Sequence, residues 1–227
     1  MSENNILANF QTYAKALVDK HNLPAISLAV WHNKKLHCAA AGILNLKTGV
    51  EATTDSIFQI GSITKVMTAS VVMQLVDEGK VELDRPVKQY IRDFAVADHE
   101  ATNTISVRHL LNHTSGISGD FFPDDSHDSG NLIARFLDRC SLLPLVHPVG
   151  ECYSYSNAAF AIAGRLIEVV TGGTWFDAIE ERIFQPLGMQ HSICRPMDVL
   201  RYRAAIGHCP STSDQLSCWQ QAKLLYP

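Results

Sequence analysis

Gly61-Ser62-Ile63-Thr64-Lys65 stands directly before a long apolar helical segment, and this junction is the strongest structural signal in the chain. Apolar residues follow almost continuously from Val66 to Val76, and Gly79 is placed to end the helix. A helix that is apolar almost all round is typical of a protein interior, so we expect this helix to be buried. Ser62 then lies where a buried helix begins, among backbone N–H groups that suit a developing oxyanion.

The spacing of Ser62 and Lys65 favours a catalytic interpretation. Residues three apart on a helix share a face, with Cβ atoms about 5–6 Å apart, so the lysine amine is expected to reach the serine hydroxyl. A serine hydroxyl needs a neighbouring base before it acts as a nucleophile, and desolvation at a helix N-terminus favours the neutral, basic form of a lysine. The alternative is a helix-capping serine followed by a surface lysine, because Ser-x-x-Lys is common by chance.

A second candidate cluster lies downstream at Tyr155-Ser156-Asn157. A phenol beside a cationic lysine is held partly as phenolate or relays a proton, so Tyr155 is a candidate to accept the serine proton. The Asn157 amide offers a donor and an acceptor to the lysine and to a substrate carbonyl. The alternative is that Tyr153 and Tyr155 are core aromatic residues before a helix that Ser156 or Asn157 caps.

Four segments of the chain, in this order, resemble the motifs of one enzyme family. They are Phe58–Lys65, Leu110–Ile117, Tyr153–Asn157 with Phe160 and Gly164, and Pro186–Met189. The family is that of the serine β-lactamase and penicillin-binding-protein-like hydrolases, and the resemblance is strongest to its class C branch with the related esterases and D,D-peptidases. The resemblance covers roughly residues 22–191.

The resemblance implies a role for each candidate site residue. Ser62 would be the acylated nucleophile, Lys65 its activating partner, and Tyr155 the proton shuttle, while Asn157 would bind substrate. Leu110–Ile117 resembles a structural loop of the family, and we assign it no chemistry. The implied function is a serine hydrolase that acts through an acyl-enzyme on an amide, β-lactam or ester carbonyl.

The resemblance also implies the architecture. We expect a mixed α/β (α+β) fold of the β-lactamase/transpeptidase type, with an antiparallel sheet flanked by helices and a helical subdomain. Residues 1–227 are expected to form a single domain. Within it, residues 1–60 supply a helix and a hairpin of the sheet region, and residues 61–191 form the mainly helical region that carries the first two motifs.

The family's third motif, a Lys-Thr-Gly, Lys-Ser-Gly or His-x-Gly triplet on a strand, does not follow Asn157. Lys47-Thr48-Gly49 has matching residues, but it precedes Ser62 and is typical of a turn between strands. Strands that would carry the triplet have no counterpart in the pattern, so we expect the N-terminal part of a longer protein, a truncated product or one piece of a split chain. A catalytically incomplete fragment or scaffold without turnover is therefore the alternative function.

Composition and charge argue against a nucleic-acid partner and against a membrane-spanning segment. A chain of 227 residues that is 46% hydrophobic and 19% charged can build a sizeable core. A net charge of −4 without a run of Lys or Arg argues against a nucleic-acid partner, and the apolar stretches are shorter than the roughly 18 residues of a membrane span. We expect a small-molecule lactam, ester or peptide substrate and no cofactor, and the oligomeric state stays open.

Metal binding and export are also not expected. The six cysteines form no Cys-x-x-Cys pair, and His109 and His113 have no acidic ligand nearby in the sequence. Residues 1–20 lack the basic start and the continuous apolar core of a secretion signal. These features predict a cytoplasmic protein with reduced thiols, or an exported one if the N-terminus was trimmed.

Hydrophobic periodicity predicts the remaining elements. Past His191 the pattern is weak, and the polar segment 120–130 is expected to form a loop at the rim of the site. The expected helices cover 4–20, 107–111, 131–140, 157–171 and 175–183, and the expected strands cover 25–31 and 35–41.

Overall fold

The computed structural model describes residues 3–119, 132–210 and 216–218. These residues divide into two compact units, one from the described residues of 3–59 and 191–218 and the other from those of 60–190. The loop expected at 120–130 lies outside the described residues. In the part of the chain that is described, no helix is both long and apolar enough to span a bilayer.

The described residues form helices and antiparallel strands, as the predicted mixed fold requires. The α-helices are α1 (Glu3–Ala8), α2 (Phe10–His21), α3 (Thr64–Asp77), α4 (His99–Thr104), α5 (Val107–Leu111), α6 (Leu132–Arg139), α7 (Asn157–Thr171) and α8 (Trp175–Ile179). The strands are β1 (Ala25–His32), β2 (Lys35–Asn45), β3 (Val50–Glu51), β4 (His208–Pro210) and β5 (Leu216–Cys218). Short 3₁₀ turns cover Gly61–Ile63, Val87–Gln89, Cys140–Leu142 and Pro196–Arg201, and one π turn covers Glu180–Phe184.

A three-stranded antiparallel sheet in the order β1-β2-β3 forms the base of the first unit. Asn33 and Lys34 have φ values of 48° and 59°, and His32 pairs with Lys35. Two consecutive residues with positive φ between paired strands make a tight hairpin turn, so the predicted hairpin is confirmed. Strand β2 runs four residues beyond its predicted end at residue 41.

Helix α2 packs on this sheet. Phe10 and Ala14 are buried against Ala39, and the Gln11 amide donates to the Ala40 carbonyl over 2.6 Å. The single helix predicted over 4–20 is wrong in one respect, because the chain leaves helical geometry at Asn9, where φ is −119°. Asparagine forms alternative local hydrogen bonds readily and so favours helix ends over helix interiors.

The region beyond residue 191 contains structure that the weak sequence pattern did not predict. Strands β4 and β5 pair with each other in antiparallel register. Just before them, Ala204 forms a parallel bridge with Ile57, and the Ile206 N–H donates to the Leu44 carbonyl over 3.1 Å. These backbone contacts join two parts of the first unit that are distant in sequence.

Helix α7 is the centre of the second unit, where it contacts α3, α5, α6 and α8. It begins at Asn157 behind the cap residue Ser156 and ends at Gly172, which has a φ of 75°, so the predicted helix is confirmed at both ends. Its fully buried side chains belong to small and branched apolar residues, namely Ala159, Ile162, Ala163, Leu166 and Ile167.

Buried polar groups tie α3 and α8 to this central helix. The Trp175 indole N–H donates to the Thr68 hydroxyl over 3.1 Å. Glu168 is only 5% exposed, but its carboxylate accepts from the Trp175 backbone N–H and from the Arg165 guanidinium. A buried charge with hydrogen-bonded partners avoids the large cost of an unpaired one.

Helix α3 contradicts one expectation. Its buried residues lie on a single face, whereas the side chain of Val66 is 67% exposed and that of Met73 is 40% exposed. The prediction of a helix buried all round is therefore wrong, because α7 and α8 pack against one side of it. The buried residues are Thr68, Val71, Val72 and Leu75.

Candidate active site

Four side chains predicted from the sequence meet at the start of α3 and the start of α7. The Ser62 Oγ accepts a hydrogen bond from the Lys65 Nζ over 3.1 Å and one from the Tyr155 Oη over 2.5 Å. The Lys65 Nζ also donates to the Asn157 Oδ1 over 2.7 Å. The hydroxyl, the amine, the phenol and the amide thus form one connected polar cluster.

The backbone explains how Ser62 and Lys65 come together. Gly61 has a φ of 54°, which glycine adopts without strain, and a 3₁₀ turn over Gly61–Ile63 leads directly into α3. Ser62 does not cap this helix, since no side-chain cap bond is formed at either start, so the helix-capping alternative is wrong. Ser62 itself is exposed and accessible to an incoming molecule.

Lys65 is the link between the two helix starts. Its side chain is half-buried, and its Nζ lies 4.8 Å from the ring centroid of Tyr155 and 5.7 Å from that of Phe160. An ammonium group near aromatic faces is attracted by the ring quadrupole. Together with its bonds to Ser62 and Asn157, these contacts hold the amine at the centre of the cluster.

The surroundings of Tyr155 change the pKa of its phenol. Partial burial opposes ionisation of the phenol, but the interactions with Lys65 and Ser62 outweigh it and hold the pKa of Tyr155 below its ordinary value of 10.0. The ring is 43% exposed, and that of Tyr153 is 67% exposed, so the interpretation of both as core aromatic residues is wrong. A solvent-accessible phenol with a lowered pKa is suited to proton transfer.

Asn157 is placed by the helix it begins. The Ser156 hydroxyl accepts from the Ala159 N–H over 3.1 Å, which makes Ser156 the N-cap and Asn157 the first helical residue. The capping hydroxyl therefore fixes where α7 starts, and with it the direction in which the Asn157 amide leaves the backbone. The positive end of the helix dipole at this position also favours negative charge on nearby groups, the phenolate included.

The loop after α5, residues 112–119, was predicted to be structural only. Here His113 contacts the segment 153–156 that carries Tyr155: its Nδ1 accepts from the Ser156 N–H over 3.1 Å, and its carbonyl accepts from the Ser154 N–H over 2.8 Å. The histidine and Tyr155 rings lie 4.5 Å apart. A histidine in the turn of a predicted structural loop was the only available signal, and the sequence alone does not show what it faces.

His109 and His113, which were considered as metal ligands, both accept hydrogen bonds from backbone N–H groups. The His109 Nδ1 accepts from the Ser106 N–H over 3.2 Å within a capping box, and the His113 Nδ1 is taken up by Ser156. Across the described ranges, no group of three or more His, Cys, Asp or Glu side chains is arranged to hold a metal ion. Both imidazoles therefore have structural partners.

Comparison with known proteins finds relatives of the type that the sequence motifs predicted. The sequence model of the Beta-lactamase family matches residues 10–219. Penicillin-binding protein 4 of Amycolatopsis lactamdurans is 44% identical over 201 residues, which cover 88% of this chain and 52% of that protein. Esterase EstB of Burkholderia gladioli is 27% identical over 191 residues, which cover 78% of this chain and 48% of that protein. The chain thus spans about half the length of these curated relatives.

Solved structures show the same likeness in three dimensions. A crystal structure of a class C beta lactamase superposes with a TM-score of 0.75 at 24% identity, over 97% of this chain and 58% of that one. This likeness confirms the β-lactamase/transpeptidase-like fold that the motifs predicted.

Proposed function

Because the chain belongs to the Beta-lactamase family, as its motifs predicted, we propose that it is a serine hydrolase that forms an acyl-enzyme on Ser62. The observation that carries the proposal is the pair of hydrogen bonds that the Ser62 Oγ accepts, 2.5 Å from Tyr155 and 3.1 Å from Lys65. A serine nucleophile requires a base in contact with its hydroxyl, and this hydroxyl has two candidates. The substrate would carry an amide, β-lactam or ester carbonyl.

In the proposed acylation step, Tyr155 first loses its phenolic proton to water, so that the Ser62 hydroxyl donates to the phenolate. The phenolate then takes the Ser62 proton while the Ser62 Oγ bonds to the carbonyl carbon. The bond from that carbon to the leaving nitrogen or oxygen then breaks, and the Tyr155 hydroxyl returns the proton to the leaving group. The Lys65 ammonium stabilises the phenolate through its charge. The Ser62 backbone N–H, in the first turn before α3, is a donor for the oxyanion that develops on the carbonyl oxygen.

In the proposed deacylation step, water attacks the acyl carbon of the ester on Ser62. Tyr155 accepts one proton from that water and passes it to the departing Ser62 Oγ, so the hydroxyl is restored and a carboxylic acid is released. Asn157 donates its amide N–H to the substrate, since its Oδ1 already accepts from Lys65 over 2.7 Å. The same residues therefore serve both halves of the reaction.

Covalent labelling tests the proposal. The purified chain is incubated with a fluorophosphonate, or with a penicillin, and digested for peptide mass spectrometry. We expect an adduct on Ser62 in the wild type and none in Ser62→Ala. Ser70→Ala is the matched control, because Ser70 lies on the same helix and its hydroxyl bonds to the Val66 carbonyl; this variant should label like the wild type. Unlabelled Ser62 in a folded wild-type protein would contradict the proposal.

A second candidate is that these 227 residues react at Ser62 without turnover, since residues 158–227 contain no Lys-Thr-Gly, Lys-Ser-Gly or His-x-Gly triplet. Ser62 would then form an acyl-enzyme that is not hydrolysed. Turnover of nitrocefin and of p-nitrophenyl acetate separates the two. Steady hydrolysis that is lost in Ser62→Ala supports the hydrolase, whereas labelling of Ser62 without any hydrolysis supports the incomplete site.

A further inference from the structure

His113 makes three contacts with Tyr155 and the two residues that flank it. Its carbonyl binds the N–H of Ser154, the residue before the tyrosine, over 2.8 Å, and its Nδ1 binds the N–H of Ser156, the residue after it, over 3.1 Å. Between these two bonds its imidazole packs on the phenol ring, with centroids 4.5 Å apart and planes inclined by 34°. One residue thus controls the backbone on both sides of Tyr155 and one face of its ring.

The loop that carries His113 is itself firmly attached. Its carbonyls at Thr114 and Gly116 accept from the N–H groups of Gly150 and Val146, each over 2.8 Å, and the Ser118 N–H donates to the Pro144 carbonyl over 3.0 Å. A side chain on Gly116 would collide with the His147 carbonyl.

The same loop also closes directly on Tyr155. A Cβ on Gly119 would lie 2.5 Å from the Tyr155 carbonyl oxygen. The loop 112–119 is therefore clamped between two other segments and provides a rigid support.

We propose that His113 is a positioning residue for Tyr155, which it holds against Ser62 and Lys65 for acyl transfer; this inference rests on the proposed function. Tyr155 precedes α7, so helix geometry does not orient its ring, and a half-exposed side chain left alone would lose rotamer freedom on each turnover. A phenol fixed before the substrate arrives avoids that cost and stays in contact with the hydroxyl it serves.

The protonation state of His113 agrees with this role. A ring nitrogen that accepts a hydrogen bond from an amide carries no proton, so the imidazole is neutral. Burial, with the charge of Lys65 adding to it, holds the pKa of His113 below its ordinary value of 6.5. Among the described residues, the phenols of Tyr153 and Tyr155 also face the ring.

Two variants isolate the acceptor. His113 has a φ of 61°, a conformation that glycine and asparagine adopt with the least strain. Neither residue carries a ring, but the asparagine Oδ1 can accept the Ser156 N–H in place of the imidazole nitrogen, and glycine has no side-chain acceptor. The difference between His113→Gly and His113→Asn therefore reports the hydrogen bond, and any backbone strain that asparagine keeps at this φ acts against the predicted recovery.

The experiment measures two quantities in the full chain: the rate of fluorophosphonate labelling of Ser62 against pH, and the phenolate absorbance of Tyr155, isolated by subtracting Tyr155→Phe. Loss of the bond in His113→Gly should slow labelling about three- to tenfold and move both midpoints upward toward pH 10. His113→Asn should recover most of the rate and the wild-type midpoints. Melting temperatures show that both variants are folded.

Three outcomes are decisive. Faster labelling and lower midpoints in the asparagine variant than in the glycine variant support the positioning role, since a merely structural defect would lower the melting temperature without moving a titration midpoint. Equal rates and midpoints in the two variants overturn it. If wild-type Ser62 is not labelled at all, the proposed function fails, while the absorbance midpoints still decide whether His113 positions the phenol.

Discussion

The two halves of the candidate active site are held in different ways. Ser62 and Lys65 are three positions apart, and one turn of backbone brings their side chains together. Tyr155 is 93 positions from Ser62, and its place depends on the loop 112–119 and on the segment 144–150 that anchors this loop. Ser62 and Lys65 therefore form a local half of the site, whereas Tyr155 and Asn157 form an imported half that tertiary structure brings to them.

Lys65 connects the two halves, because it bonds to Ser62 on one side and to Asn157 on the other. An error in the position of α7 would therefore reach the nucleophile through this one amine. The local half should therefore tolerate changes elsewhere in the chain, while the imported half should respond to changes in supporting segments such as 112–119 and 144–150.

Removal of the Lys65 side chain should reduce the reactivity of Ser62 most, because the amine contacts Ser62 and also links the local half to the imported half through Asn157. In Lys65→Ala we expect the rate of Ser62 labelling to fall about a thousandfold, since both the contact with the hydroxyl and the charge beside the phenol are lost. Labelling kinetics by intact-protein mass spectrometry measure the fall.

Lys65→Arg sharpens this result. Arginine keeps the positive charge but does not deprotonate in proteins, so it can stabilise a phenolate but cannot act as a base. A rate in Lys65→Arg near that of the wild type would show that the amine acts through its positive charge. A rate near that of Lys65→Ala would show that the amine acts as the base that accepts the Ser62 proton. A wild-type rate in Lys65→Ala would contradict the proposed role of the amine altogether.

Removal of the Tyr155 hydroxyl should cost less, because Lys65 still contacts Ser62. In Tyr155→Phe we expect labelling to slow about a hundredfold, the range typical of a lost general acid–base group. The pH midpoint of labelling should also change, since the phenol with the lowered pKa is gone. Tyr153→Phe is the matched control, because that phenol is 67% exposed and takes no part in the hydrogen bonds that join Ser62, Lys65, Tyr155 and Asn157. An equal loss in both variants would contradict a specific role for Tyr155.

The local half could be read from the sequence almost completely. Helical spacing placed Lys65 beside Ser62. Capping residues also predicted both ends of α7, with Gly172 at one end and either Ser156 or Asn157 at the other, and the structure shows that Ser156 is the cap. The hairpin around residues 33 and 34 was equally predictable from its short polar turn. Each of these features depends on residues that are neighbours in the chain.

What the sequence did not show depends on distant contacts. Burial of α3 was overestimated because hydrophobicity does not say how many sides of a helix are covered, and Val66 is exposed. The three-residue strands β4 and β5 are too short for a periodic pattern. The role of His113 could not be found because its partners, Ser154 and Ser156, lie more than 40 positions away.

The smallest expected effect concerns pH and the stability of the imported half. Burial is the largest cause that lowers the pKa values of His109 and His113. His109 lies in the capping box of α5, and His113 contacts the segment that carries Tyr155. In the unfolded chain each imidazole takes up a proton near pH 6.5, but in the folded chain only at a lower pH, so the unfolded state binds more protons in between. The free energy of unfolding should therefore decrease modestly as the pH falls from 7.5 to 5.5.

Urea unfolding at these two pH values, followed by circular dichroism, measures this decrease. The Glu78 carboxyl contributes little over this range, because its pKa, about 2 in the folded chain through hydrogen bonds with Arg182 and Lys80 and 4.5 ordinarily, lies below pH 5.5 in both states. His113→Asn removes one of the two imidazoles and keeps an acceptor for Ser156, so its unfolding free energy should depend less steeply on pH than that of the wild type. An equal pH dependence in the two proteins would show that His113 binds its proton equally well folded and unfolded, and the support beneath Tyr155 would then not depend on a neutral imidazole.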